Sequence, residues 1–135
     1  MRYSSLILIS LILSACESAQ KITRHLEPAK PITLTAKQIS SVRAGVTKNL
    51  KDHELELVGI ERIRAGQAST GVIVCGYVKS KKGSGDAMDE KPFQGIFLGP
   101  DNASDFVVTG TGGAGDDAAE TLEVCRRSGL ELAPS

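Results

Sequence analysis

Residues 71–80, GVIVCGYVKS, constrain the fold more than any other segment. Val72, Val74 and Val78 alternate with Ile73, Cys75 and Tyr77, so an extended chain here is apolar on both faces. Strand side chains point alternately to the two faces of a sheet, so this strand needs cover on both sides and belongs at the sheet's centre. Its neighbours supply partners. In ELELVGIERI (54–63), Leu55 and Leu57 alternate with Glu54 and Glu56 as in a half-buried strand, and Val58 and Ile60 break the alternation beside Gly59, where a bulge is expected. PFQGIFLG (92–99) and DFVVTG (105–110) read as a third and a fourth strand around the turn GPDNAS. The polar, glycine-rich KKGSGDAMDEKP (81–92) reads as a loop. Connections of these lengths allow antiparallel pairing.

Helices flank the strands. Thr35 and Gln38 have capping-box spacing, and Leu34 and Ile39 are placed for a hydrophobic staple. Ala36, Ile39, Val42, Val46 and Leu50 then recur at spacings of three and four, which predicts a helix over about 36–50. After the glycine-rich 110–117, Asp117 and Glu120 repeat the capping pattern. Ala118, Leu122 and Cys125 share one face, Arg126 and Arg127 sit where a helix dipole favours cations, and Gly129 supplies a left-handed stop. The expected order is α-β-β-β-β-α. That is an α+β domain over 35–135, with an N-terminal helix, a roughly four-stranded antiparallel sheet and a C-terminal helix. Residues 17–34 carry Pro28 and Pro31 without apolar periodicity and read as a flexible tether.

The chain begins MRYSSLILISLILSAC. Arg2, an apolar run over 6–13 and the small residues Ser14 and Ala15 form an export signal, and the run is too short to span a bilayer. Leu13-Ser14-Ala15-Cys16 resembles the lipobox of bacterial lipoprotein precursors. The resemblance implies that residues 1–15 are a signal peptide cleaved before Cys16. It also implies that the Cys16 thiol carries a diacylglyceryl group and that the new amino group is acylated, for instance with palmitate. Several acyl chains on one residue anchor firmly where a single chain does not. Glu17, where an aspartate would mark inner-membrane retention, implies an outer-membrane address facing the periplasm in a Gram-negative source. In other bacteria the address is the outer face of the plasma membrane.

With Cys16 given to lipid by that resemblance, Cys75 and Cys125 remain in an oxidising compartment, where disulfides form and persist. Their pairing is expected. Two free thiols acting as small buried hydrophobes are the other reading. A metal site has less support, because only His25 and His53 are available to join the cysteines and neither stands at ligand spacing. No metal or cofactor is expected.

Charge and composition exclude some partners. Loss of residues 1–15 removes Arg2 and leaves 15 basic against 16 acidic residues, so neither nucleic acid nor an anionic surface finds an electrostatic footprint. There is no Trp to build a stacking platform. The glycine-rich 110–115 lacks a P-loop lysine, and Asp116 and Asp117 oppose a phosphate. Asp101, Asn102 and Asp105 do not meet calcium-loop positions and suit a turn. His53, beside Asp52 and Glu54, has no identifiable catalytic partner. Lys79, Lys81 and Lys82, followed by Asp86 and Asp89, read as a solvated hairpin that offers the best candidate partner surface.

The order LKD (50–52), VCGYVKSKK (74–82), KPFQG (91–95) and a last helix with Cys125 and Gly129 is similar to a set of small exported bacterial proteins, many of them lipoproteins. In these a helix ending Leu-Lys-Asp-Pro precedes a Val-Cys-Gly strand, a lysine- and glycine-bearing loop and a Pro-Phe strand. Here His53 replaces the proline, and KKGSGDAMDE replaces a loop usually richer in Asn, Gly and Tyr. The resemblance implies export, the disulfide and the fold, and no activity. The expected function is therefore a non-enzymatic, membrane-anchored envelope protein that binds another envelope component. An inhibitor or immunity-type protein against an envelope-directed enzyme is the alternative, ahead of an enzyme.

Overall fold

The computed structural model describes residues 27–83, 87–111 and 116–134. The expected signal peptide and Cys16 lie outside the described residues. The elements are β1 (Lys30–Ile32), α1 (Ala36–Asp52), β2 (Leu55–Ala68), β3 (Gly71–Lys82), β4 (Met88–Leu98), β5 (Asp105–Thr111) and α2 (Asp116–Arg127). The strands form one antiparallel sheet in the order β1-β2-β3-β4-β5, so the domain is α+β as expected. Among the described residues no helix is long and apolar enough to cross a membrane.

Two expectations need correction at the N-terminal side. The sheet has five strands rather than about four, and the first described element is a strand, not a helix. β1 pairs Lys30, Pro31 and Ile32 with Gln67, Gly66 and Ala65 of β2. Three residues cannot display a period of two, and Pro31 argues against a strand unless the strand is at an edge, which β1 is. Ala29 is buried, and its N–H donates to the Ser128 carbonyl at 2.9 Å. Residues 29–34, read as tether, therefore belong to the folded domain.

The helix predicted after Thr35 is present and carries the capping box. Thr35 Oγ1 accepts from the Gln38 N–H at 3.2 Å, and Gln38 Oε1 accepts from the Thr35 N–H at 2.9 Å. Val42, Val46 and Leu50 form its buried stripe. α1 packs most closely on β2 and β5, the strands that flank β3 and β4, so the sheet curves round it. Inside the curve, α1 meets Val72, Val74 and Val78 of β3, Phe93 and Phe97 of β4, and Phe106 of β5 in one core. The Phe106 ring occupies space left by two glycines. A Cβ on Gly45 would fall 2.9 Å from Phe106 Cδ1 and closer still to the Phe106 backbone, and one on Gly95 would fall 2.6 Å from the Val107 carbonyl oxygen.

The other face of β3 has its own cover. Cys75 and Tyr77 pack with Cys125 of α2 and with Leu130 and Leu132 of the tail that follows it. Cys75 and Cys125 are disulfide-bonded, fully buried, with Cα atoms 6.1 Å apart. Gly129 adopts φ +76°, the left-handed stop. Leu130 N–H donates to the Cys125 carbonyl and Gly129 N–H to that of Arg126, a Schellman ending that turns the tail back onto the sheet. α2 starts at Asp116, so Asp117 sits in its first turn rather than ahead of it.

β2 carries two register shifts, one at Leu57/Gly59, beside the residue where a bulge was expected, and one between Glu61 and Arg64. The segment 81–92 is not one loop. Lys79 pairs with Glu90, Ser80 with Asp89 and Lys81 with Met88, so the β3–β4 connection shrinks to 83–87. Polar and charged residues, among them the facing Lys79 and Glu90, replace the apolar alternation that normally marks a strand, so sequence periodicity conceals the pairing.

Candidate functional site

The residues expected to meet a partner lie along the β3–β4 hairpin, and most of their charges are already matched. Lys79 Nζ donates to Glu61 Oε1 at 2.8 Å and lies 3.6 Å from Glu90. That hydrogen bond raises the Lys79 pKa and lowers that of Glu61. Lys81 lies 3.7 Å from Glu56, and Asp89 2.9 Å from Lys91. Lys82 is exposed at the strand end. Asp86 lies outside the described residues. Met88, directly opposite Lys81, is the most exposed large apolar residue described, at 64 %. Among the described residues the hairpin therefore presents one large, well-exposed apolar side chain beside charge pairs, not a field of one sign.

The second bulge of β2 re-aims Arg62, which the sequence did not single out. Its φ of +51° is rare for a residue with a long side chain. Its guanidinium stacks 4.3 Å from the Tyr77 ring centre, donates to the Pro134 carbonyl at 2.7 Å and pairs with Glu90. Arg62 thus latches the C-terminal tail to the outer face of β3.

A cleft opens on the other face, beyond the C-terminal end of α1. It encloses about 280 Å³. Leu50, Leu55 and Val78 form its apolar side. Ser80, almost fully buried, shares the parity of Val78 and brings a hydroxyl to the same wall. Asn49, His53, Lys91 and Asp117 complete the lining with Thr111. His53 is the C-cap of α1, its N–H held by the Leu50 carbonyl at 3.0 Å. His53, for which the sequence offered no catalytic partner, is exposed and borders this cleft. The only hint of the site was Ser80, a polar residue continuing an inward valine series; Lys91 and Asp117 reach it through the fold.

Asp101, assigned to a turn, performs that role. Oδ1 accepts from the Ala103 and Ser104 N–H groups at 3.2 and 3.3 Å, and the Ser104 hydroxyl donates to Oδ2. These bonds, led by that from the Ser104 side chain, hold its pKa at about 2. Of 110–115, residues 112–115 lie outside the described residues. Among the described residues no group of three or more potential metal-binding side chains occurs. A scan of family models finds no match to the chain, and searches of curated proteins and of solved structures find none either.

Proposed function

We propose that the chain is a lipid-anchored protein of the bacterial cell envelope that acts by binding a protein partner rather than by catalysis. The observation that carries this reading is Cys16, which follows a short apolar run and the small residues Ser14 and Ala15 and precedes a domain closed by its two remaining cysteines. Disulfides persist in oxidising compartments, so the buried Cys75–Cys125 bridge supports export independently of the signal. The hairpin of Lys79, Lys81, Lys82 and Asp89 is the partner surface in this reading. Met88, exposed and directly opposite Lys81, adds an apolar contact beside these polar groups. In a Gram-negative cell the anchor lies in the outer membrane and the domain faces the periplasm.

Two measurements test the proposal. Cys16→Ala should move the protein from the membrane to the soluble fraction; unchanged fractionation refutes the anchor. A photocrosslinking residue at Met88 in living cells should yield a discrete adduct with one envelope protein, absent when the crosslinker is placed at Lys48 of α1. Equal labelling from both positions refutes the surface. Recovery of an envelope hydrolase as that adduct would turn the reading into one of inhibition.

A further inference from the structure

We infer that the cleft beyond α1 binds a small zwitterion with an aliphatic substituent, an amino acid or a dipeptide with a leucine-sized side chain. The inference stands on the chemistry of the cleft and does not depend on the anchor. The size fits such a ligand, since about 280 Å³ lies at the lower end of small-molecule sites. Leu50, Leu55 and Val78 make one side of the lining apolar, and this side takes the aliphatic group. Two opposite charges border the same space from different elements, Lys91 on β4 and Asp117 on α2.

Lys91 pairs with Asp89, whose side chain is 61 % exposed. Exposed ion pairs contribute little, so a ligand carboxylate can take the Lys91 ammonium from Asp89 at small cost. Asp117 accepts the ligand ammonium. The Ser80 and Thr111 hydroxyls supply neutral donors and acceptors between the two poles. A fatty acid would bring a carboxylate against Asp117, and a simple amine would bring a cation against Lys91. Among charged ligands a zwitterion is the class that repels neither, and unlike a neutral molecule it meets both with an opposite charge.

The test follows the methyl NMR signals of Leu50, Leu55 and Val78 in the full chain, disulfide intact, during titration with L-leucine, leucyl-leucine, isovalerate, isoamylamine and glycine. At least one leucine zwitterion should shift these methyls saturably, and the stronger of the two tells a free amino acid from a peptide. Glycine, isovalerate and isoamylamine should bind at least about tenfold more weakly, the loss of one charge contact or of the apolar contact. Lys91→Met should bring leucine down to the level of isoamylamine, and Asp117→Asn to that of isovalerate. No saturable shift with either zwitterion overturns the inference. Isovalerate or isoamylamine binding as well as leucine overturns it too. The panel on the unaltered chain decides the question even where a variant folds poorly.

Discussion

Reduction of the Cys75–Cys125 bridge should remove a large part of the domain's stability and release α2 first. The bridge joins residues 50 apart in the chain. The chain-entropy model assigns a loop of that length about 4 kcal/mol, acting on the unfolded state. Small domains are stable by only about 5–15 kcal/mol in total, so the bridge decides how well this one holds together. The reduced thiols still fill the same fully buried space, so little cavity cost is added. The assay is urea unfolding of the oxidised chain against chain reduced in denaturant and refolded in reductant. The expected loss is about 2–4 kcal/mol, with a steeper denaturant dependence because the uncrosslinked unfolded chain exposes more surface. A loss below about 1 kcal/mol refutes the loop-closure argument. Hydrogen exchange adds a spatial test. α1 keeps its contacts with β2, β5 and the inner core, whereas α2 and the tail lose their covalent tie to β3. Exchange should quicken in 116–132 well before 36–52, and equal acceleration in both helices refutes the division of the core.

Other perturbations test single contacts. Gly45→Ala improves helix propensity by about 1 kcal/mol but drives a Cβ against the Phe106 backbone, and overpacking of this kind costs about 1–3 kcal/mol. A net loss in urea unfolding is expected, and a net gain would show that α1 does not approach β5 so closely. Thr35→Ala removes the capping oxygen of α1 and should cost about 1 kcal/mol by the same measurement. Arg62→Ala loses the stack on Tyr77 and the bond to Pro134, so carboxypeptidase should trim the tail faster; unchanged trimming rules out the latch. Asp101 and Glu123 both have folded pKa values of about 2, below their ordinary 3.8 and 4.5. The bonds of Ser104 dominate the first shift and those of Arg126 and Arg127 the second. The folded state thus binds protons less readily than the unfolded one. Their stabilisation is complete above the ordinary carboxylate range and is lost as pH falls toward 2. Asp101→Asn should flatten the acid limb of a pH–stability curve, and an unaltered limb would count against these hydrogen bonds.

The fold was legible wherever a local rule matched the tertiary outcome. The two-faced apolar pattern of 71–80 demanded two covers, and the structure supplies α1 on one side and α2 with its tail on the other. The Thr35–Gln38 cap and the Gly129 stop were visible because short-range backbone hydrogen bonds specify them. β1 was hidden because neighbours hold it, Ala29 fitting beside Gly66 and Ser128. The outer ends of β3 and β4 were hidden because polar and charged residues, Lys79 and Glu90 among them, occupy their facing positions without apolar alternation. Arg62 gave no sign of its turn to a positive φ, since long side chains rarely adopt one. The cleft was least legible, because its lining comes from six elements between Asn49 and Asp117.

That origin ties the cleft to the disulfide. Asp117 sits in the first turn of α2, and the bridge pins the same helix eight residues later at Cys125. Reduction that loosens α2 moves Asp117 from the rim, while Leu50, Leu55, Val78 and Lys91 stay with α1 and the sheet. Reduced protein should therefore still accept the aliphatic group and the carboxylate but lose the contact to the ligand ammonium. Leucine should fall to the affinity of isovalerate, whose own binding changes little. Linkage demands the reverse effect as well: bound leucine should slow exchange of α2 amides in the reduced chain, by a factor that grows with ligand concentration. Equal weakening of leucine and isovalerate on reduction would show instead that the whole cleft collapses and that Asp117 has no separate part in it.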